Sequence, residues 1–284
     1  MKKLIFPLAF IALSVLACTW TPTPTAPPPA ANTATTEPPV VTEPPATEPP
    51  VIPLVGDVVT CNELSLTLDP ALATGYDCQT VPESPYEMDL YPAHTELVLT
   101  GYPLADKFFA PKIMVFPVAA YTALAPATIP EYVTALQTMT AGGHNPLYKD
   151  TTSKAIPFLP LFNAAQAFYS KGALRSFVSG EGVRFLTEYA QYYVPVNNHD
   201  LFYTFQGLTT DGQYWVSAIL PINHPGLPEN ADNPPDGLTW EAFSAGYETY
   251  ILDKVTWLNG RPPESFTPTL LALDALVTSI TITP

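Results

Sequence analysis

Proline fixes φ and has no backbone donor, and this chain concentrates it in one place. Of its 35 prolines, 12 fall between Thr19 and Pro53, together with 9 threonines. The tetrapeptide Thr-Glu-Pro-Pro occurs three times there, starting at Thr36, Thr42 and Thr47. Such a tract builds neither helix nor sheet and reads as an extended, disordered, semi-rigid tether. At about 3.1 Å per residue its 35 residues reach on the order of 100 Å. It divides the chain into a short leader, the tether and a long C-terminal part. A solubilising spacer is the plain reading of such a composition.

The leader has its own pattern. Met1-Lys2-Lys3 is basic, and Leu4 to Ala17 is an apolar run of 14 residues. That length suits a secretory signal better than a membrane span. Val15-Leu16-Ala17-Cys18 closes the run and resembles the lipobox of bacterial lipoproteins, with Leu16 at a position where a small residue is commoner. The resemblance implies cleavage before Cys18 and at least two acyl chains on that cysteine. One chain binds a membrane marginally and two bind it stably, so the lipid on Cys18 is the expected anchor. Thr19, where many inner-membrane lipoproteins carry aspartate, favours the outer membrane in a two-membrane bacterium. The expected parts are therefore 1–17 signal peptide, 18–53 lipidated cysteine and tether, and 54–284 globular domain. An ordinary signal peptide cut after Ala17, or an uncleaved anchor, is the alternative.

Charge narrows the partners. The chain carries 11 basic and 26 acidic residues. Removing 1–17 leaves 9 against 26, a net charge of −17. Nucleic acid is excluded as a partner on that ground, and anionic lipid headgroups are repelled; a protein or glycan ligand is not. Charged residues make up only 13% and hydrophobic residues 47%, which supports a packed core rather than a disordered chain. Two cysteines remain besides Cys18. In an exported domain the pair Cys61 and Cys78 reads as a disulfide. Two buried thiols or half of a metal site are the alternatives, and no C-x-x-C or histidine pair lies nearby to complete a zinc site.

Residues 54–284 read as one α+β domain, an antiparallel sheet flanked by a few helices. Leu64, Leu66 and Leu68 alternate with polar residues as in a half-buried strand. Lys112 to Val118 reads as a largely buried strand. Thr128-Ile129-Pro130-Glu131 has the form of a capping box opening a helix to about Thr140. Strands follow over Phe168–Phe177 and from Val183, with a turn at Ser179–Gly182. Phe202–Leu208 and Tyr214–Leu220 flank Thr209-Thr210-Asp211-Gly212, a hairpin signal. Trp240, Phe243, Tyr247, Tyr250, Ile251, Val255 and Leu258 form one helical stripe ending at Gly260. Thr267-Pro268 opens a last helix carrying Leu270, Leu273, Leu276, Val277 and Ile280. This element order is faintly similar to the Mog1/PsbP-like fold, a likeness of topology that carries no function.

Chemistry is sparse in the pattern. His94, His144, His199 and His224 are isolated and fall in predicted loops, where surface or turn roles are expected. His199 and Asp200 are adjacent, a spacing that on a strand sends side chains to opposite faces. No G-x-S-x-G, S-x-x-K or phosphate-loop motif occurs, and Ser244 lies within a predicted helix. No catalytic residue, resident metal or cofactor is assigned. Glu229, Asp232, Asp236 and Glu241 crowd one loop, where calcium is weighed against a solvated acidic surface. Tyr189, Tyr192, Tyr193, Trp215, Trp240 and Trp257 are candidates for a sugar or peptide platform, against ordinary core packing.

Two readings of function follow. The first is a surface-displayed lipoprotein with a non-enzymatic binding or accessory domain. The second is a hydrolase of envelope or extracellular polymer using carboxylates that no local spacing reveals. A cleft with convergent histidine and carboxylate side chains favours the second over the first.

Overall fold

The structure is a computed structural model that describes residues 55–86, 89–142 and 155–283. Cys18, the tract to Pro53 and His144 lie outside these residues. The first strands are β1 (Asp57–Cys61), β2 (Leu64–Leu68), β3 (Gly75–Val81), β4 (Ser84–Tyr86), β5 (Asp89–Tyr91), β6 (His94–Thr100) and β7 (Lys112–Pro117). Helices α1 (Val118–Leu124) and α2 (Ile129–Ala141) follow. Next come β8 (Ala165–Gln166), β9 (Ser170–Phe177), β10 (Gly180–Thr187), β11 (Tyr189–Ala190), β12 (Phe202–Thr209) and β13 (Tyr214–Pro221). Helices α3 (Trp240–Ala245), α4 (Tyr247–Asn259) and α5 (Leu270–Thr278) precede the short β14 (Thr281–Ile282).

The centre of the fold is the hairpin β12–β13. Every residue of β12 is buried, and so is every residue of β13 after Tyr214. A strand apolar on both faces must be covered on both, and this one is the middle of a seven-stranded antiparallel sheet ordered β3-β6-β7-β13-β12-β10-β9. Its turn carries Gly212 at φ +71, and Asp211 Oδ1 accepts from Thr209 Oγ1 and from the Gln213 N–H. The α+β class and the antiparallel sheet expected above are those of the structure.

Alternation then sorts side chains into two cores. One face carries Leu97, Val115, Tyr203, Phe205 and Val216, covered by α4, α5 and the small sheet β1-β2-β14. The other carries Met114, Phe116, Val183, Phe185, Phe202 and Trp215, covered by α1, α2 and the segment 156–161. Four buried side chains of α5, Leu270, Leu273, Leu276 and Val277, hold that short helix. Each such burial contributes roughly 1.5–3 kcal/mol, far more than helix propensity does. The Cys61–Cys78 disulfide joins β1 of the small sheet to the edge strand β3 of the large one.

Several local expectations shift. Gly182 is inside β10, not in a turn, and lies opposite Gly207 on β12. A Cβ at either glycine would come within 2.6 Å of the Phe205 ring, so both positions make room for that side chain. The turn is the preceding pair Val178–Ser179. Thr128 adopts helical dihedrals and makes no capping bond. The stripe from Trp240 to Leu258 is broken at Gly246 into α3 and α4. The last helix is capped by Thr269, whose hydroxyl accepts from the Ala272 N–H, two residues beyond Thr267. Among the described residues no helix is long and apolar enough to cross a membrane.

Candidate functional site

A cleft of about 760 Å³ opens beside β11. Its walls come from four stretches of chain: the β6–β7 loop with Phe108, the segment before β8 with Phe162, Asn163 and Ala164, residues 189–194, and the turn 197–200. Asn230, Ala231, Asp232 and Trp240 close it. A volume in the range of roughly 300–1,000 Å³, lined by rings and a few convergent polar groups, is characteristic of a ligand site.

The Phe162 wall is fixed from beneath by buried polar groups. The Leu159 N–H donates to Gln206 Oε1 at 3.0 Å, and the Leu161 N–H donates to the Tyr121 hydroxyl at 2.9 Å. Gln206 Oε1 also accepts from Trp215 Nε1 at 2.8 Å, while its Nε2 donates to Thr204 Oγ1 and Ser217 Oγ, each at 2.9 Å. Buried polar atoms must be paired, and Gln206 pairs four groups at the foot of the wall. Phe162 is therefore held edge-to-face against Phe108 and Tyr189, at centroid distances of 6.2 and 5.8 Å.

The polar side of the cleft is organised by Asn197. Its Oδ1 accepts from the His199 and Asp200 N–H groups, an Asx turn that folds 197–200 back on itself. Its Nδ2 donates to Asp200 Oδ2 at 2.8 Å, and Asp200 Oδ1 is 2.6 Å from His199 Nδ1. His199 and Asp200 are thus brought together, contrary to the strand-based expectation, because their segment is a turn. The turn is tied to the opposite wall by the Phe108 N–H, which donates to the His199 carbonyl, and by Lys107 Nζ, which donates to the Asn198 carbonyl.

Behind the turn lies Glu188, almost wholly buried. Its Oε1 accepts from the Asn197 N–H at 2.8 Å, and its Oε2 is among the buried atoms without a partner. Burial pushes its carboxyl well above the ordinary 4.5; the Asn197 bond opposes this, and the Asp200 charge adds to it. Burial raises the hydroxyls of Tyr247 and Tyr250 above the ordinary 10, and the Glu188 charge adds to it. The folded chain then holds a proton that the unfolded chain releases, so Glu188 destabilises the fold increasingly as pH rises above 4.5. The melting temperature of wild type is expected to fall relative to a Glu188→Gln variant between pH 5 and pH 8. A gap between the two proteins that does not change with pH contradicts a neutral Glu188.

Of the aromatic residues proposed as a platform, Tyr189, Tyr192 and Trp240 line the cleft. Tyr193 stacks on Tyr247 beside it, Trp215 is core, and Trp257 packs on His224. Phe108 and Phe162 were not singled out by the pattern; their only signal is an apolar ring within a Pro-rich loop. His94 and His224 are both buried; His224 opens a turn, its carbonyl accepting from the Leu227 N–H, whereas His94 begins β6 and is neither a surface nor a turn residue. His94 Nδ1 donates to the Pro92 carbonyl between Tyr91 and Phe116, and burial lowers its pKa. His224 Nδ1 accepts from the Gly226 N–H, which leaves Nε2 to donate to Ser265 Oγ. Of the acidic loop only Asp232 reaches the cleft, and Glu229 is 3.7 Å from Lys107. Among the described residues no three His, Cys, Asp or Glu side chains group as metal ligands. No family profile, curated protein or solved structure matches the chain.

Proposed function

We propose that this chain is a surface-displayed lipoprotein, held in the cell envelope by lipid on Cys18, with residues 54–284 on the extracytoplasmic side as a non-enzymatic binding or accessory domain. The Thr/Pro-rich tract is its leash, and the cleft beside β11 is where its ligand seats. One observation carries the binding role. Phe108, Phe162, Tyr192 and Trp240 are 52, 38, 74 and 44% exposed, and all four line the same cleft. Large rings left in water cost free energy, and their convergence on a concave, polar-edged surface marks a contact site.

The leader supports the anchoring, and the test is fractionation of cells expressing the full chain. Wild type is expected in the membrane fraction and open to protease on intact cells. Cys18→Ser is expected to lose that association almost completely, since no second acyl signal replaces the first. Wild type recovered from the cell interior contradicts the reading.

The cleft does bring His199, Asp200 and Asp232 together, which counts toward a second reading, a hydrolase in which Asp200 orients the imidazole to activate water; the four exposed rings weigh for the first. Release of soluble fragments from envelope polymer by wild type, lost in His199→Ala, selects that reading over the first.

A further inference from the structure

We infer that the cleft takes an uncharged oligosaccharide. This rests on reading the cleft as the ligand site, and three features of its lining point to sugar.

The first is the rings. The C–H groups on one face of a pyranose are weakly positive, and an aromatic face is negative, so the two stack. Trp240, at the start of α3, and Tyr192, just after β11, present large, solvent-open rings for this. Neither is a buried core residue: Tyr192 is 74% and Trp240 44% exposed, the latter edge-to-face with Phe243 at 6.0 Å.

The second is the choice of polar groups. Asn163, Gln191 and Asn230 bring amides, Asp200 and Asp232 carboxylates, and His199 an imidazole. A sugar hydroxyl both donates and accepts. Amides offer both functions, and carboxylates accept strongly, so adjacent hydroxyls can be read by this set. Asp200 is already oriented by Asn197, which lowers the entropy lost on binding.

The third is charge. Among the described residues no Lys or Arg lines the cleft, two carboxylates do, and the whole chain is at −15. A phosphorylated, sulfated or uronic acid polymer would meet repulsion with no compensating cation. A neutral glycan meets none, and its binding is insensitive to salt.

The test uses the full chain in detergent micelles, with tryptophan fluorescence and calorimetry as readouts. The probes are short neutral oligomers (of glucan, mannan, xylan and chitin), oligogalacturonate and oligolysine. At least one neutral oligomer is expected to bind with a Kd unchanged by salt. Trp240→Ala and Tyr192→Ala, both at exposed rings and checked for unchanged melting, are expected to raise that Kd about tenfold or more. Binding of no neutral oligomer overturns the sugar assignment. Oligolysine bound by wild type and lost in Trp240→Ala also overturns it, while keeping the cleft as a ligand site. Neutral sugar bound equally by wild type and both variants overturns the cleft itself.

Discussion

Asp274→Ala is expected to cost about 3–5 kcal/mol of folding stability. Asp274 is on α5, and its carboxylate is the meeting point of three strands. Arg175 of β9 donates to Oδ2 at 2.8 Å, Arg184 of β10 approaches Oδ1 at 3.2 Å, and the Tyr203 hydroxyl of β12 donates to Oδ1 at 3.0 Å. The side chains of Asp274 and Arg184 are only 14 and 8% exposed. Removing the carboxylate therefore strands buried positive charge and a buried hydroxyl, whose deprotonation burial opposes, with Asp274 second. Arg175, at 28% exposure, is partly screened by water and contributes less. Asp274→Asn keeps an acceptor for Tyr203 and is expected to lose less than Asp274→Ala. Urea unfolding checks both: the midpoint should fall with an unchanged slope. A loss below about 1 kcal/mol for Asp274→Ala would mean the cluster does not fasten α5 to the sheet.

Loss of the disulfide is expected to cost about 3 kcal/mol, most of it through the unfolded state. The bond closes a loop of sequence separation 17, and it is the covalent link between the two sheets. Cys78 is the better position to change, because it is exposed on β3 whereas Cys61 is buried. Cys78→Ser should lower the unfolding midpoint, and reductant should bring wild type to the same value while leaving the variant unmoved. Equal stability of oxidised and reduced wild type would contradict this.

How much of this was legible beforehand differs by element, for physical reasons. The hairpin β12–β13 was, because two largely apolar runs around Asp211-Gly212 leave little choice. The helix α5 was too, except for its cap and its end, since Ile280 lies beyond Thr278. Strand β3 was not. It is an edge strand whose residues Tyr76 to Thr80 are all exposed, so it carries no burial alternation to read. The break at Gly246 was hidden by an apolar period that runs through it, since Phe243 of α3 packs on Tyr247 and Tyr250 of α4. The cleft was the least legible part. His199 and Asp200 meet only because the Asn197 side chain closes a turn, a local competition with extended structure that spacing does not reveal. Phe108 and Phe162 are 54 positions apart in number and meet only in the fold. Glu188 reads as one more acid next to Thr187, and nothing in its local pattern marks it as buried.

The account turns on where the head domain is held and by what. Intact mass spectrometry of the chain extracted from membranes measures that directly. The expected result is a polypeptide beginning at Cys18 whose excess mass corresponds to at least two acyl chains on that residue. A polypeptide that begins at Met1, or that carries Cys18 with an unmodified thiol, would contradict it.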